Sequence, residues 1–414
     1  MLIVSSSSWR TDAFVEAAAR LDLQLDLVSD RCHVLAEEWP EGAFPVEFSK
    51  PEEAVAALVA RGRETAAAGV VGTDDLTAVL AARVAAALDR PHNPPQAADI
   101  ARHKRLQREC LRAARVRVPK FFSASLGDDA SRLAREAPYP CVLKPVGLAA
   151  SRGVIRADDP AAFEAAFARI SRILHAHDVL VRRDPSLAGI LVEEFVPGTE
   201  FALEGLLEAG QFTPLALFDK PDPLDGPFFA ETIYVTPSRL PEPKQEAIVK
   251  TIASATRAIG LREGPVHAEV RLNETGVWVL EVAARTIGGL CARALRFGAG
   301  LSLEELVLAR AIGRRPASLA RERKPAGVMM IAIPRSGVYR RVGGVDAARG
   351  IPLIEDVVLT FKPGEHVKPL PDGAGYLGFI FARGDTPGAV EAALRAAHAE
   401  LRFEMDPVLP VSRV

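Results

Sequence analysis

Two carboxylates, Glu269 and Glu281, sit in the string VHAEVRLNETGVWVLEVAARTIGG (266–289), one on each side of an Asn-Glu-Thr-Gly turn. The flanking stretches alternate polar and apolar residues, which predicts two strands of a hairpin with both carboxylates near the strand ends on one face. Two such groups side by side repel each other unless a cation lies between them. Paired hard oxygen donors, with Arg285 four residues beyond Glu281, suit Mg²⁺ bound to a polyphosphate. The plain alternative is a pair of solvated strand acids.

Other residues suit the same ligand. Lys144 ends an apolar strand and is followed by Pro145 and the small-residue loop GLAASRG (147–153). Such a loop can fold over phosphates and offer them N–H groups, with the lysine as a point charge at its mouth. Neither GxxxxGK[ST] nor GxGxxG is present, and a simple hairpin loop is the competing reading. In VEEFVPGTE, Glu193 can accept from an adenine amino group, backbone from Glu194 to Val196 can pair with the base's other edge, and Glu200, past a Pro-Gly turn, can accept from ribose hydroxyls.

These residues need a scaffold. Residues 1–95 alternate strand and helix patterns, the rhythm of a Rossmann-like open parallel sheet, and PHNPPQ (91–96) breaks it. A basic helix, AADIARHKRLQRECLRAA, follows. From 117 to about 190 the pattern reads as strand, small-residue loop, strand and helix, and from about 191 to 312 as a larger strand-rich unit containing the amphipathic helix that ends at Gly260. A helix entered through Gly288 and Gly289 comes next. Residues 313–414 read as a C-terminal α+β unit closed by TPGAVEAALRAAHAEL. The overall class is α/β combined with α+β.

Bulk properties narrow the function. A net charge of −2, with arginines interspersed among acids, gives no electrostatic footprint for nucleic acid or membrane. The cysteines (Cys32, Cys110, Cys141, Cys291) are scattered without a Cys-x-x-Cys, which argues against zinc and a disulfide framework and fits a cytoplasmic setting. MLIVSSSSWR lacks the basic start and long apolar run of a signal peptide, and no stretch approaches a membrane span.

The ordered set Lys104, Lys144, Ser151-Arg152-Gly153, EEFVPGTE, Glu269, Glu281 and Arg285 resembles the ATP-grasp superfamily over residues 1–300. The string LEVAARTIGGLCARAL and the C-terminal unit look most like its L-amino acid ligase branch, the carboxylate–amine ligases that form dipeptides. The resemblance implies ATP and Mg²⁺ as cofactors, with Mn²⁺ an alternative ion. It places Lys104 and Lys144 on the phosphates, and Ser151, Arg152 and Gly153 in the loop over the γ-phosphate. Glu193 and the backbone of Phe195 and Val196 would hold adenine, beside Glu194, and Glu200 would hold the ribose. Glu269 and Glu281 would hold the metal, Arg285 the transferring phosphoryl group, and Gly288 and Gly289 a substrate anion at a helix start. Near the amino-acid site of that branch, Glu231 would pair with a substrate ammonium and Tyr234 would donate to a carboxylate. Asp219 and Lys220 read as a loop ion pair, and His267 as a packing residue behind Glu269.

Two departures stand out. Ala283 occupies the position where relatives commonly carry an Asn metal ligand, and Ala149 and Ala150 replace loop glycines. The expected reaction is ATP-dependent amide formation through an acyl-phosphate, on L-amino acids or small analogues, by a cytoplasmic enzyme for which a homodimer is a common state. The competing readings are a purine-pathway-like ligase or carboxylase, and a nucleotide-binding module without turnover. Carboxylases resembling this chain place Gln-Val-Glu-His after the arginine, where Thr286-Ile287-Gly288-Gly289 stands here.

Overall fold

The computed structural model describes residues 1–6, 8–30 and 43–408. The N-terminal strands β1 (Leu2–Val4), β2 (Leu27–Ser29), β3 (Ala43–Pro45) and β4 (Val71–Gly72) form a parallel sheet in the order β3-β2-β1-β4. Helices Thr11–Arg20, Pro51–Glu64 and Asp75–Ala87 pack around it. The last begins at a capping box in which Asp74 accepts from Leu76 and Thr77. The first has Arg10 at its cap position and no side-chain cap, although Thr11 or Asp12 fits that role by sequence. Arg10 is drawn elsewhere, into the centre of the molecule.

The basic segment forms two helices, Pro95–Arg102 and Lys104–Ala113, because His103 is extended and caps the second with its ring. The break brings Lys104 to the mouth of the phosphate loop. A four-stranded antiparallel lid follows, made of β5 (Phe121–Ser125), β6 (Cys141–Pro145), β7 (Ile155–Ala157) and β8 (Gly189–Glu194) in the order β5-β8-β6-β7. Helix Pro160–Leu174, capped by Asp159, buries Phe163, Phe167 and Ile170 against it.

The largest sheet has eight strands in the order β13-β12-β9-β10-β11-β14-β18-β16. It joins β9 (Thr199–Glu208), β10 (Gln211–Asp219), β11 (Ile233–Thr236), β12 (Gly264–Asn273) and β13 (Gly276–Ala283) to β14 (Ala326–Ile331), β16 (Ile354–Leu359) and β18 (Gly378–Arg383). The sheet therefore runs straight through the boundary expected at 312–313. Outside it, β15 (Gly337–Gly343), β17 (His366–Val367) and β19 (Arg402–Asp406) form a small sheet of their own. Helix Glu242–Ile259 covers the β9–β13 end and helix Pro387–Ala399 the β14–β18 end.

The helix expected after Gly288-Gly289 is a single 3₁₀ turn, Cys291–Ala294. Gly289 has φ +58°, and a Cβ there would lie 2.7 Å from the Phe379 ring. Close packing under the loop takes the place of a helix start, so no helical N-terminus faces a substrate anion here. Cys32 lies outside the described residues. Cys110, Cys141 and Cys291 form no disulfide.

Candidate active site

The hairpin presents Glu269 and Glu281 directly opposite each other in the β12–β13 ladder. Simple alternation does not put them there. Val277 and Val279 bury their side chains in the core beneath helix Glu242–Ile259, and Glu281, two residues on, would follow them. The register slips between Glu269 and Val270, so that Leu280 is an extra residue on β13. This bulge flips the phase, and Leu280 and Glu281 both reach the cleft wall. Gln107 secures the irregular strand, accepting from the Val282 N–H at 3.0 Å and donating to its carbonyl at 2.8 Å.

The open cleft between lid and large sheet spans about 750 Å³, counting the solvent space at its mouth. Lys104, Lys144 and Ser151 line its phosphate-loop end; Glu193 to Val196 line the hinge; Glu200, Glu231 and Glu269 line the floor. Arg152, Gly153, Tyr234, Arg285, Gly288 and Gly289 stand outside this wall.

At the hinge, Glu193 is 1% exposed and holds Arg108 with one oxygen and the Lys144 ammonium with the other, at 2.6 Å. Burial alone would push its pKa up; Arg108 and Lys144 bring it down to about 2. Each oxygen keeps a further acceptor site for a base amino group, since an ionised carboxylate offers about four. Glu194 clamps the hinge by accepting from the Lys120 N–H at 3.0 Å. The Phe195 N–H donates to the Pro140 carbonyl at 2.7 Å, which leaves its carbonyl for the backbone contact expected of it. The neighbouring Val196 N–H has no partner among the described residues. The Phe195 ring lies between the Arg156 and Arg271 guanidinium groups, at 4.2 and 4.8 Å.

The floor is organised by a residue whose weight the sequence did not reveal. Lys220 is not in a loop ion pair with Asp219, which binds Ser238 and Arg239 instead. Its ammonium, 2% exposed, meets Glu200 at 2.7 Å, Glu231 at 3.0 Å and Glu269 at 3.2 Å. Oxygens of these three carboxylates converge within 4.8 Å, a spacing that could hold a metal, yet Lys220 already supplies their cation. Burial opposes the Lys220 charge, but the three acids raise its pKa well above the usual value. Burial also pushes Glu231 up, and Glu269 and Glu200 add to that against the pull of Lys220, so it sits at about 7. Glu200 is further held by Arg271 at 3.1 Å.

Tyr234, expected to donate to a substrate carboxylate, is buried with its ring on Phe218 (centroids 5.7 Å apart) and facing Lys220 at 5.0 Å. It serves the floor from below because β11 is an interior strand.

Behind Glu269 lies His267, with Nδ1 on Glu204 and Nε2 3.5 Å from Glu269. Burial would push the imidazole down; Glu204 and Glu269 more than reverse this and lift it to about 9. Ala283 is the direct ladder partner of His267. At the position where the resemblance leads to an asparagine, this chain therefore has a small residue beside a charged imidazole.

The N-terminal domain supplies the remaining supports. Arg285 makes a two-pronged pair with Asp75 at 3.1 and 3.3 Å. Buried Arg10 donates to the Thr286 hydroxyl at 2.8 Å and to the Thr286 and Ile287 carbonyls at 3.2 and 3.1 Å. Glu204 accepts from the Ile287 N–H at 3.1 Å. Arg10, Asp75, Arg108, Glu204 and Arg271 were not singled out by motif reasoning, and Lys220 was read only as half of a loop ion pair. They share no local signal, and sequence alone does not separate such inward charges from solvated ones.

A fold of this kind, with a nucleotide-sized cleft between a small antiparallel lid and a larger sheet, defines the ATP-grasp enzymes, and residues 137–294 match the ATP-grasp domain. The match spans less than half of the chain and makes it similar to the ATP-grasp superfamily of ligases. Within it, the chain is most like the L-amino acid ligase branch, since residues 329–406 match the L-amino acid ligase C-terminal domain 2. The crystal structure of an L-amino acid ligase from Bacillus licheniformis superposes with a TM-score of 0.82 at 27% identity, covering 98% of each chain. Alanine–anticapsin ligase of Bacillus subtilis is 28% identical over 63% of this chain, which spans 58% of that protein's length. An uncharacterized protein of Sinorhizobium fredii is 24% identical over 98% of this chain and 83% of its own. N5-carboxyaminoimidazole ribonucleotide synthetase of Thermotoga maritima shares the fold, with a TM-score of 0.70 at 14% identity. No helix among the described residues is long and apolar enough to cross a membrane.

Proposed function

We propose that this protein is an ATP-dependent carboxylate–amine ligase that joins L-amino acids or small analogues through an acyl-phosphate. The observation that carries the reading is the separation of charge along one cleft. Lysines and the phosphate loop lie at one end, and an acid-rich floor beside Glu281 at the other.

Lys104, Lys144 and the 147–153 loop bind the phosphates, with Glu193 aiming Lys144. Val196 N–H and the hinge acids read adenine, and Glu200 takes the ribose. Glu269 and Glu281 are hard oxygen donors facing each other in register, a set that fits Mg²⁺. When bound, the ion supplies charge neutralisation for the phosphates. A substrate carboxylate attacks the γ-phosphorus, forming acyl-phosphate and releasing ADP. The amine nitrogen then attacks the acyl carbon, the C–O bond to phosphate breaks, and the amine's proton is lost. Arg285, fixed by Asp75, stabilises negative charge developing on the transferred group. One Glu231 oxygen is left for a substrate ammonium while the other holds Lys220. Positioning and charge account for the catalysis, so no protein nucleophile is needed.

The test is phosphate release from Mg·ATP with amino acids singly and in pairs, with mass spectrometry of the products. Release that depends on a pair and yields a condensed mass is the expected result. ATP binding without any pair-dependent release would refute the ligase reading and favour a binding module, the alternative that Ala283 raises.

A further inference from the structure

The phosphate loop is gripped from outside the cleft by the C-terminal domain. Ala149, Ala150 and Ser151 face the cleft, and on the loop's other side lies the segment 369–373. Gly153 N–H donates to the Pro371 carbonyl at 2.9 Å, and Arg152 Nε donates to the Asp372 carbonyl at 3.0 Å. The Asp372 carboxylate takes two bonds from Arg169 on the lid helix, at 3.1 and 2.7 Å. Segment 369–373 is itself a closed turn, since Asp372 and Gly373 N–H groups both donate to the Pro369 carbonyl, at 3.1 and 3.0 Å. Arg169 also lies over the Phe228 ring at 4.9 Å, where the 225–229 loop supports the lid through the Arg156 N–H bond to the Pro227 carbonyl at 2.9 Å.

The loop needs such a grip. Ala150 (φ 55°) and Ser151 (φ 54°) are both left-handed, a conformation that non-glycine residues leave unless contacts hold them.

We propose that Asp372 is a positioning residue that latches the phosphate loop and lid over the cleft, so that the acyl-phosphate meets the amine and not water. This rests on the ligase reading above. Both outcomes release phosphate: amine attack forms a C–N bond, whereas water attack forms a C–O bond and returns the free acid. Phosphate release alone is therefore blind to the latch, and the ratio of phosphate to condensed product reports it.

The experiment uses the full chain as Asp372→Ala, and as the charge-swapped pair Arg169→Asp with Asp372→Arg. Asp372 and Arg169 are both about one-third exposed, so neither change opens the core. Amide hydrogen exchange across 147–153 in the ligand-free protein is expected to rise about fivefold in Asp372→Ala and to return toward wild type in the swap. Phosphate per product is expected to rise from about one to about two or more. Unchanged exchange overturns the latch. Faster exchange with an unchanged ratio overturns its role in keeping water out. If the wild type makes no condensed product with any pair, the ligase reading falls, and the exchange measurement still decides the latch.

Discussion

The two ends of the cleft solve opposite electrostatic problems. At the hinge one carboxylate, Glu193, lies between two cations, Arg108 and Lys144. On the floor one ammonium, Lys220, lies among three carboxylates, Glu200, Glu231 and Glu269. The hinge is left with surplus positive charge and awaits an anion. The floor is left with surplus negative charge, which Arg271 only partly offsets, and Glu281 beside it adds more. On the proposed reading, a nucleotide polyphosphate with its divalent cation completes both. Most of these groups are buried, so neither surplus is screened as it would be at the surface.

The largest effect should come from removing the cleft acid that has no partner cation at bonding distance among the described residues. Glu281→Ala should lower turnover by about a thousandfold or more, a size typical of losing a main electrostatic stabiliser, with an unchanged circular dichroism spectrum. Near-normal Mg²⁺-dependent turnover in that variant would remove the metal assignment.

The comparison itself is broken most directly by deleting one cation from each end. Lys220→Met leaves Glu200, Glu231 and Glu269 with only Arg271 and His267 as cationic partners and should cost about 3–5 kcal/mol of stability. Lys144→Met leaves Glu193 with Arg108 and should cost about 2 kcal/mol, while weakening nucleotide binding. Denaturant unfolding of both variants measures the contrast. Equal losses would mean that the floor is no more dependent on its single cation than the hinge is on either of its two.

His267 sharpens the same contrast through pH. Its folded pKa of about 9 lies above the usual 6.5, so the folded state binds its proton more tightly. The resulting stability is fully present below pH 6.5 and is lost as pH rises through 9. Relative to His267→Gln, the wild type should hold an advantage on the order of 3 kcal/mol at pH 6 that shrinks to nothing above pH 9.5. A difference that does not vary with pH would show that the imidazole is neutral throughout.

These tests concern residues of unequal legibility. Lys144 stood out because it ends an apolar run before a loop, and Glu269 and Glu281 because they flank a turn in two alternating stretches. Strand-helix alternation in the first 95 residues and the successive strands β8, β9 and β10 were readable too, although β8 belongs to the lid sheet and β9 and β10 to the large one. What was hidden is long-range. Lys220 follows Asp219 in a Pro-rich stretch, and nothing local says that it points inward to acids from β9, β12 and the 220–232 loop. Arg10 and Asp75 reach the 285–287 loop across more than 200 residues. The bulge at Leu280 was invisible because alternation gives one plausible facing, and only pairing with β12 reveals the slip. The missing helix at Gly289 has a tertiary cause, the Phe379 ring beneath it.

Ala150 tests the smallest contrast, between a loop held by its contacts and one shaped by its own residues. With φ 55° it sits where a Cβ costs about 1–2 kcal/mol. Glycine removes that cost but gives the unfolded chain more freedom, worth about 0.5–1 kcal/mol in the other direction. Ala150→Gly should therefore stabilise the protein by up to about 1 kcal/mol, seen as a shift in the denaturation midpoint at constant slope. The relaxed residue would also open and close the loop more easily, so nucleotide exchange should quicken if lid movement limits it. A loss of stability would mean that the loop leaves the left-handed region in solution. The grip of 369–373 would then have no strain to hold, and Gly153 would be the loop's main point of attachment to the C-terminal domain.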